Sequence, residues 1–142
     1  MSDDALAAAP AANVFEAAGG EPAFRELVGR FYARVATDPV LRALYPDEDL
    51  SGATDRLTLF LIQYWGGPGT YSEQRGHPRL RMRHQPFAIG RRERDAWLAQ
   101  MTAAVNSMEL APAVRKAFLD YFDAASTAMI NTGGSDGHQT QD

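Results

Sequence analysis

The residue types that could do chemistry are concentrated in residues 71–84, which read YSEQRGHPRLRMRH. Pro78 can open a short helix there, and that helix would place Leu80, His84 and Phe87 on one face at i, i+4 and i+7. A histidine on an apolar face needs a hydrogen-bond partner or a metal, because a buried polar group without a partner is costly. Taken alone, this pattern favours a core histidine bonded to a neighbour over a metal ligand.

The same stretch contributes to a basic patch in an acidic protein. Seven of the fourteen Lys and Arg residues lie between Arg75 and Arg94, whereas the net charge of the whole chain is −4. Such a patch suits an anionic group, either a carboxylate or a nucleic acid. The acidic residues Glu93 and Asp95 within it, the negative net charge and the lack of a recognition helix argue against nucleic acid.

The composition is that of an ordinary globular chain. Its 142 residues suffice for one domain with a full core, and 45% are hydrophobic and 23% charged. Because cysteine is absent, disulfides and thiolate ligands are excluded, and any metal must be held by nitrogen or oxygen. No apolar run approaches the roughly 20 residues that span a bilayer, and the first residues are acidic, unlike a signal peptide. We therefore expect a cytoplasmic protein without a membrane span.

Hydrophobic periodicity predicts four long helices and no strands, so the expected fold class is all-α. The inward face of the first helix carries one hydroxyl group, that of Tyr32, and the inward face of the third carries Trp97. The four helices span residues 22–36, 51–64, 91–108 and 112–131.

The connections between these helices carry further signals. The glycine pair at residues 19–20 can adopt positive φ and let two helices meet closely. Asp38 precedes a proline and begins a one-turn helix, and Pro46 forces an extended backbone at Tyr45. Residues 65–78 show no periodicity, which predicts a long irregular connection.

Three motifs in order along the chain carry a family resemblance. They are YWGGP at residues 64–68, the stretch at residues 71–84, and Trp97. The chain resembles a truncated haemoglobin, specifically one of group II, from Gly19 to about Asn131. This resemblance implies a truncated globin-like two-over-two helical sandwich, in which the first two long helices face the last two.

The resemblance implies that His84 is the proximal ligand of a haem b iron, and hence the metal ligand of the protein. A neutral imidazole is a good iron ligand and leaves the opposite axial position open for O2, CO or NO. The other residues implied in cofactor binding are Arg56, Leu57, Phe60, Tyr71, Met82, Arg83, Phe87 and Trp97.

On the distal side of the haem, the resemblance implies a pocket for the gas ligand. Tyr32, Tyr45 and Trp97 would donate hydrogen bonds to the ligand, and Ala53 and Leu57 would be its small and apolar neighbours. Each donor in a dry pocket contributes about 1.5–3 kcal/mol, and about 1.4 kcal/mol changes an escape rate tenfold. Judged by residue type alone, these inward aromatic side chains would instead be ordinary residues of the hydrophobic core. Ala53 stands where ordinary globins carry a distal histidine.

Two arginines have two interpretations each. Arg83 beside His84, and Arg56 on the second long helix, could pair the haem propionates, since a partly buried guanidinium binds carboxylates well. Both could equally belong to a solvated basic face. We expect His77 to be structural or exposed. We expect the remaining arginines of the basic patch to be solvent-exposed, namely Arg79, Arg81, Arg91, Arg92 and Arg94.

The leading functional hypothesis is a haem protein that reversibly binds O2, with CO and NO as further ligands. The alternative is redox turnover at the same haem, by NO dioxygenation or peroxide chemistry, with an external reductase as electron donor. Slow ligand release from a strongly bonded pocket favours the alternative, because a carrier must release its cargo. The lack of a distal histidine and arginine pair argues against an efficient peroxidase.

The expected domain organisation has three parts. Residues 1–12 form a flexible extension without a bulky residue to bury, residues 13–132 form the truncated globin domain, and residues 133–142 form a disordered polar tail. Apolar helical surface beyond the core would be compatible with a homo-oligomer.

Overall fold

Six helices account for most of the residues that the structure, a computed structural model, describes, namely residues 14–45, 49–77 and 88–131. A short helical segment over residues 14–18 precedes them. No strand occurs within the three described ranges, in agreement with the predicted all-α fold class. The helices are α1 (Gly20–Val35), α2 (Pro39–Arg42), α3 (Ser51–Tyr64), α4 (Thr70–Arg75), α5 (Arg91–Asn106) and α6 (Pro112–Ala128).

The four long helices pack as two pairs. α1 packs against α3, α5 packs against α6, and α1 also contacts α5, so that both pairs share one core. This arrangement confirms the predicted two-over-two sandwich. Its fully buried side chains come from all four helices and include Phe24, Phe31, Thr58, Leu61, Met101, Val105, Phe118 and Phe122.

A glycine pair turns the chain into α1. Gly19 and Gly20 have φ values of +117° and +72°, in the region that side chains with a Cβ rarely adopt. A Cβ on Gly19 would also lie 3.1 Å from the Cβ of Ala23. The predicted glycine turn is therefore confirmed, and it lets the segment at residues 14–18 pack against the core.

A second glycine pair ends α3. Gly66 has a φ of +106°, and a Cβ on Gly67 would lie 2.6 Å from Ile62 Cγ2 and 2.8 Å from Phe15 Cε1. Both distances are shorter than van der Waals contact, so only glycine allows the chain to pass this close to α3 and to the segment at residues 14–18.

The connection after α3 is more regular than the sequence predicts. α4 occupies six residues of the stretch that we expect to be irregular. Its first turn is held by Gln63, whose Oε1 accepts the backbone N–H of Ser72 at 2.9 Å and whose Nε2 donates to Ser72 Oγ at 2.8 Å. A helix this short shows no apolar period and depends on tertiary contacts, which explains why periodicity misses it.

Several predicted features lie outside the described residues. They are the N-terminal extension at residues 1–12, the polar tail at residues 133–142, and residues 78–87, which include Met82, Arg83, His84 and Phe87. Among the described helices, none combines the length and the apolar character needed to cross a membrane.

Candidate functional site

A cavity of about 510 Å³ lies between α1, α3, α5 and α6. Every predicted site residue that falls within the described ranges lines it, although these residues come from five separate parts of the chain. The structure therefore brings the candidate residues to one place, and their individual roles stay predictions. The predicted residues in the lining are Tyr32, Tyr45, Ala53, Arg56, Leu57, Phe60, Tyr71 and Trp97.

One end of the cavity holds a network of three hydrogen-bond donors. The hydroxyl of Tyr32 on α1 and the hydroxyl of Tyr45, which follows α2, interact by a hydrogen bond that raises the pKa of Tyr32 and opposes the rise in the pKa of Tyr45, a pattern that favours Tyr32 as the donor. Trp97 on α5 donates its indole N–H to the Tyr45 oxygen, since an indole nitrogen can only donate. In this arrangement the Tyr45 oxygen accepts two hydrogen bonds, and the hydroxyl hydrogen of Tyr45 is left for a third partner.

Aromatic packing holds this network in place. The rings of Tyr32 and Tyr45 meet edge to face, with centroids 5.5 Å apart. Phe31, which is fully buried in the core, contacts both Tyr32 at 4.9 Å and Trp97 at 5.2 Å between ring centroids. Such ring pairs are geometrically specific, so the core of α1 also fixes the directions of the polar groups.

The two phenols of the network stay protonated well into the alkaline range. Burial raises the pKa of Tyr32, because the charged phenolate would lose its hydration, and the neighbouring Tyr45 raises it further. Burial also raises the pKa of Tyr45, although the hydrogen bonds from Tyr32 and Trp97 oppose that shift. Both groups therefore act as neutral hydrogen-bond donors at any physiological pH.

The wall formed by α3 is apolar and faces the cavity instead of the core. Ala53, Leu57 and Phe60 are only partly buried, whereas Thr58 and Ile62 are buried against α1 and the rest of the core. The Phe60 ring meets the Tyr71 ring of α4 at 5.7 Å between centroids. α3 therefore presents one side to the cavity and another side to the core.

Arginine side chains contribute positive charge to the cavity lining. Arg56 lines the cavity from α3, and its side chain runs back along the helix, since its Nη1 lies 3.1 Å from where a Cβ on Gly52 would stand. Arg75 at the end of α4 lines the same cavity. These positive charges are suited to bind the carboxylates of a ligand.

The prediction that the Arg94 side chain on α5 is solvent-exposed is wrong. Its side chain is only 17% exposed and lines the cavity. The guanidinium donates to Asp95 Oδ1 at 2.7 Å and to Thr127 Oγ1 of α6 at 2.7 Å. The sequence indicates only that a charged residue lies on α5. The hydrogen-bond partner that holds the side chain at the cavity is on α6 and cannot be identified from the sequence of α5.

Residues at the end of α6 complete the lining, and the sequence interpretation does not assign them to the site. Tyr121, Phe122, Ala125 and Met129 all contact the cavity. They share the inward face of α6 with the core residues Val114 and Phe118 of its first half. The only feature of the sequence that could have identified these residues is their helical spacing, which shows that they face inward but not that they face a cavity.

The residues present fit a haem. The cavity volume is within the roughly 300–1,000 Å³ of small-molecule and cofactor sites, and its lining is mainly aromatic and aliphatic with a few polar groups. The lining combines an apolar surface with hydrogen-bond donors and arginines, which matches a flat apolar group with two carboxylates. Ile89, which follows His84 by five residues in the sequence, also lines the cavity.

Comparisons with known proteins agree with this arrangement. A family profile described as bacterial-like globin matches residues 13–131 of the chain. Group 2 truncated hemoglobin YjbI of Bacillus subtilis (strain 168) is 38% identical over 112 residues, which are 79% of this chain and 84% of that protein.

Solved structures give the same result at the level of the fold. A thermostable hemoglobin from the actinobacterium Thermobifida fusca shares 56% identity at a TM-score of 0.82, covering 83% of this chain and 96% of that chain. A truncated oxygen-avid haemoglobin from Bacillus subtilis shares 38% identity at a TM-score of 0.78, covering 83% of this chain and 98% of that one.

Proposed function

Because this chain belongs to the bacterial-like globin family, as a group II truncated haemoglobin, we propose that it reversibly binds O2, and also CO and NO, at a five-coordinate haem iron. Haem is the cofactor of this family and therefore of this chain. When bound, the haem supplies a ferrous iron with an open axial position for the gas. We assign the proximal position to His84 and the distal pocket to Tyr32, Tyr45 and Trp97.

The observation that carries this proposal is the convergence of two phenols and an indole on one cavity, where Phe31 packs against Tyr32 and Trp97 and the Tyr32 ring meets the Tyr45 ring. We propose that the Tyr45 oxygen accepts from both Tyr32 and Trp97, so that its own hydroxyl hydrogen is available to a gas ligand. Each donated bond polarises the Tyr45 hydroxyl and strengthens the bond that it gives. Tyr45 is therefore the primary donor in our proposal, and the other two residues orient it.

The remaining lining residues keep the site dry and oriented. Ala53 leaves space beside the donors, and Leu57 and Phe60 exclude water from the distal wall. We propose that Arg56 pairs a haem propionate and that Arg94 is a further candidate, since both lie at the cavity and a guanidinium binds a carboxylate in a fixed geometry. Arg83 stays a predicted partner on the proximal side.

The test is the O2 dissociation rate of the haem-loaded, reduced protein, followed in a stopped-flow instrument at the Soret band. Release over many seconds to minutes is expected if Tyr45 donates to the ligand from a dry pocket. Release within a fraction of a second would contradict the donor network. If the purified chain develops no Soret band after haem is added, the proposal fails as a whole.

The proximal assignment has a separate test. In the His84→Gly variant, the ferrous five-coordinate spectrum should be lost and should return when imidazole is added to the solution. The matched control is His77→Ala, because His77 lies on the exposed segment after α4. A normal spectrum of His84→Gly without imidazole would reject the assignment.

A second candidate function is NO dioxygenation, which the same donor network favours because slow release keeps O2 in the pocket. The net reaction, NO + O2 + e⁻ → NO3⁻, consumes one electron per turnover, so a separate reductase must supply it. Mixing oxygen-loaded protein with NO should yield one nitrate per haem, and a substoichiometric yield would exclude this role. Peroxide chemistry has less support, since no histidine lines the cavity among the described residues.

We further propose that the protein works in the cytoplasm. Its composition without cysteine suits a reducing compartment, and a reductase that could supply electrons would be met there. Fractionation of the source cells, with the globin followed by its Soret absorbance, would test this location.

A further inference from the structure

We propose that Asp38 and Gln100 are positioning residues of the distal site, which hold the segment that carries Tyr45 against the helix that carries Trp97. This inference rests on the proposed function, because its effect is read through ligand binding. Neither residue lines the cavity, and both lie on the outer side of the elements that form it.

Asp38 joins the start of α2 to α5 with both of its carboxylate oxygens. Its Oδ1 accepts the backbone N–H groups of Val40 and Leu41 at 2.9 and 3.1 Å, which caps α2. Its Oδ2 accepts from Gln100 Nε2 at 2.9 Å. One side chain therefore both starts the short helix and attaches it to α5.

A continuous set of bonds carries this attachment from Asp38 to Tyr45. The Asp38 carbonyl accepts from Arg42 N at 2.8 Å, and the Arg42 carbonyl accepts from Tyr45 N at 3.2 Å. Arg42 Nη1 also donates to the Tyr45 carbonyl at 2.8 Å. The backbone of Tyr45 is thus fixed relative to Asp38, so a movement of the Asp38 end of the segment moves the phenol.

Gln100 is oriented by a third element. Its Oε1 accepts from Arg34 Nε of α1 at 2.7 Å, so its Nε2 must face Asp38. Arg34 follows Tyr32 by two residues on α1, and Gln100 follows Trp97 by three on α5.

Two parallel connections therefore join the same three elements. The inner one runs through Tyr32, Tyr45 and Trp97 at the cavity, and the outer one, which we call the Arg34–Gln100–Asp38 bridge, runs along the surface. Hydrogen bonds weaken steeply with distance and angle, so a small shift of Tyr45 would weaken the inner network. The Arg34–Gln100 bond is exposed and the Gln100–Asp38 bond is only partly buried, so we expect their loss to cost little stability, which separates a positioning effect from a folding effect.

The test uses the holoprotein and two variants. Gln100→Ala removes the bridge, and Asp38→Asn keeps a good N-cap while losing the acceptor for Gln100. We expect both to release O2 about three- to tenfold faster, in line with partial loss of one hydrogen bond. The C–O stretching frequency of the CO-loaded protein should shift with them, because it reports hydrogen bonding to the ligand.

Two further variants make the result specific. In a Tyr45→Phe background, Gln100→Ala should change the O2 release rate no further, because the phenol through which it acts is gone. Ser107→Ala is the matched control, since Arg30 also joins α1 to the end of α5 through Ser107, at 3.0 Å, away from the cavity. This control should keep the wild-type rate.

The outcomes separate this inference from the proposed function. If the wild-type protein binds no gas, the proposed function fails. If the wild type binds O2 and Tyr45→Phe accelerates release, but Gln100→Ala and Asp38→Asn match the wild type in rate and C–O frequency, the inference is wrong. An effect of Gln100→Ala that persists undiminished in the Tyr45→Phe background would also overturn it.

Discussion

At the scale of single residues, hydrogen-bond direction distinguishes side chains that look equivalent in the sequence. Tyr32, Tyr45 and Trp97 are all inward aromatic residues with a hydrogen to donate. In the proposed arrangement Tyr32 and Trp97 donate their hydrogens to Tyr45, and the Tyr45 hydroxyl donates to the ligand. We therefore expect the three residues to differ in their effect on ligand release.

Tyr45→Phe should accelerate O2 release by roughly ten- to a hundredfold, since it removes the donor that reaches the ligand. Tyr32→Phe should have a smaller effect, because it removes only a bond that polarises Tyr45. Stopped-flow displacement of O2 by CO measures both rates. Equal effects of the two variants would contradict the assigned bond directions.

The buried phenols also predict a dependence of stability on pH. The folded state keeps the proton of Tyr32 above its ordinary pKa of 10.0, where the unfolded chain releases it. This contribution is fully present below pH 10 and decreases above it, by up to about 1.4 kcal/mol per pH unit for one group.

Urea unfolding of the wild type and of Tyr32→Phe between pH 9 and pH 11 measures this dependence. The wild type should lose stability more steeply with rising pH than the variant does. Parallel curves for the two proteins would show that the Tyr32 phenol is not protected in the folded state.

At the scale of elements, the end of α3 shows how one missing side chain sets the path of the chain. Gly67 passes within contact distance of Ile62 and Phe15, and no Cβ fits there without a shift. The close approach brings the segment at residues 14–18 onto the core and directs the chain into α4. The glycines of the WGGP motif are therefore explained by packing.

Gly67→Ala should destabilise the protein by about 1–3 kcal/mol, the usual cost of overpacking. The matched control is Gly29→Ala, because Gly29 lies within α1 and a Cβ added to it would meet nothing within 4 Å. That change should stabilise the protein by about 0.5–1 kcal/mol. Thermal unfolding followed by circular dichroism measures both, and destabilisation by Gly29→Ala alone would refute the packing argument.

At the scale of the whole molecule, the two helix pairs enclose a cavity instead of closing completely on each other. All four long helices and α4 contribute lining residues, so the stability of the pair arrangement depends on what fills about 510 Å³. A ligand that binds only the folded state stabilises it by mass action. Haem is thus expected to act as part of the structure as well as the site of gas binding.

Removal of haem should therefore lower the free energy of unfolding. If the free haem concentration in the holoprotein sample is at least about a hundred times the dissociation constant, the expected difference between holoprotein and apoprotein is at least about 2.7 kcal/mol. Urea titrations of the apoprotein and the holoprotein at equal protein concentration measure the difference. Coincident unfolding curves would mean that the cavity does not hold the cofactor in the folded state.

The sequence by itself determined the elements and the candidate residues. Periodicity located the four long helices because each must bury one face, the Gly19–Gly20 pair marked a turn that needs positive φ, and the motifs in residues 64–97 indicated the family. The family resemblance selected Tyr32, Tyr45 and Trp97, because inward aromatic residues at helical spacing are otherwise explained as core.

Only the tertiary structure decided what those faces meet. Helical spacing shows that a residue points inward, but the interior may be filled by side chains or left open, and this depends on how distant helices pack. Tyr121 and Met129 therefore proved to line a cavity, Arg94 contacts Thr127 of another helix, and α4 formed on a contact with Gln63. The arrangement of hydrogen-bond donors around Tyr45 likewise depends on how three distant elements pack together, which a local sequence pattern cannot predict.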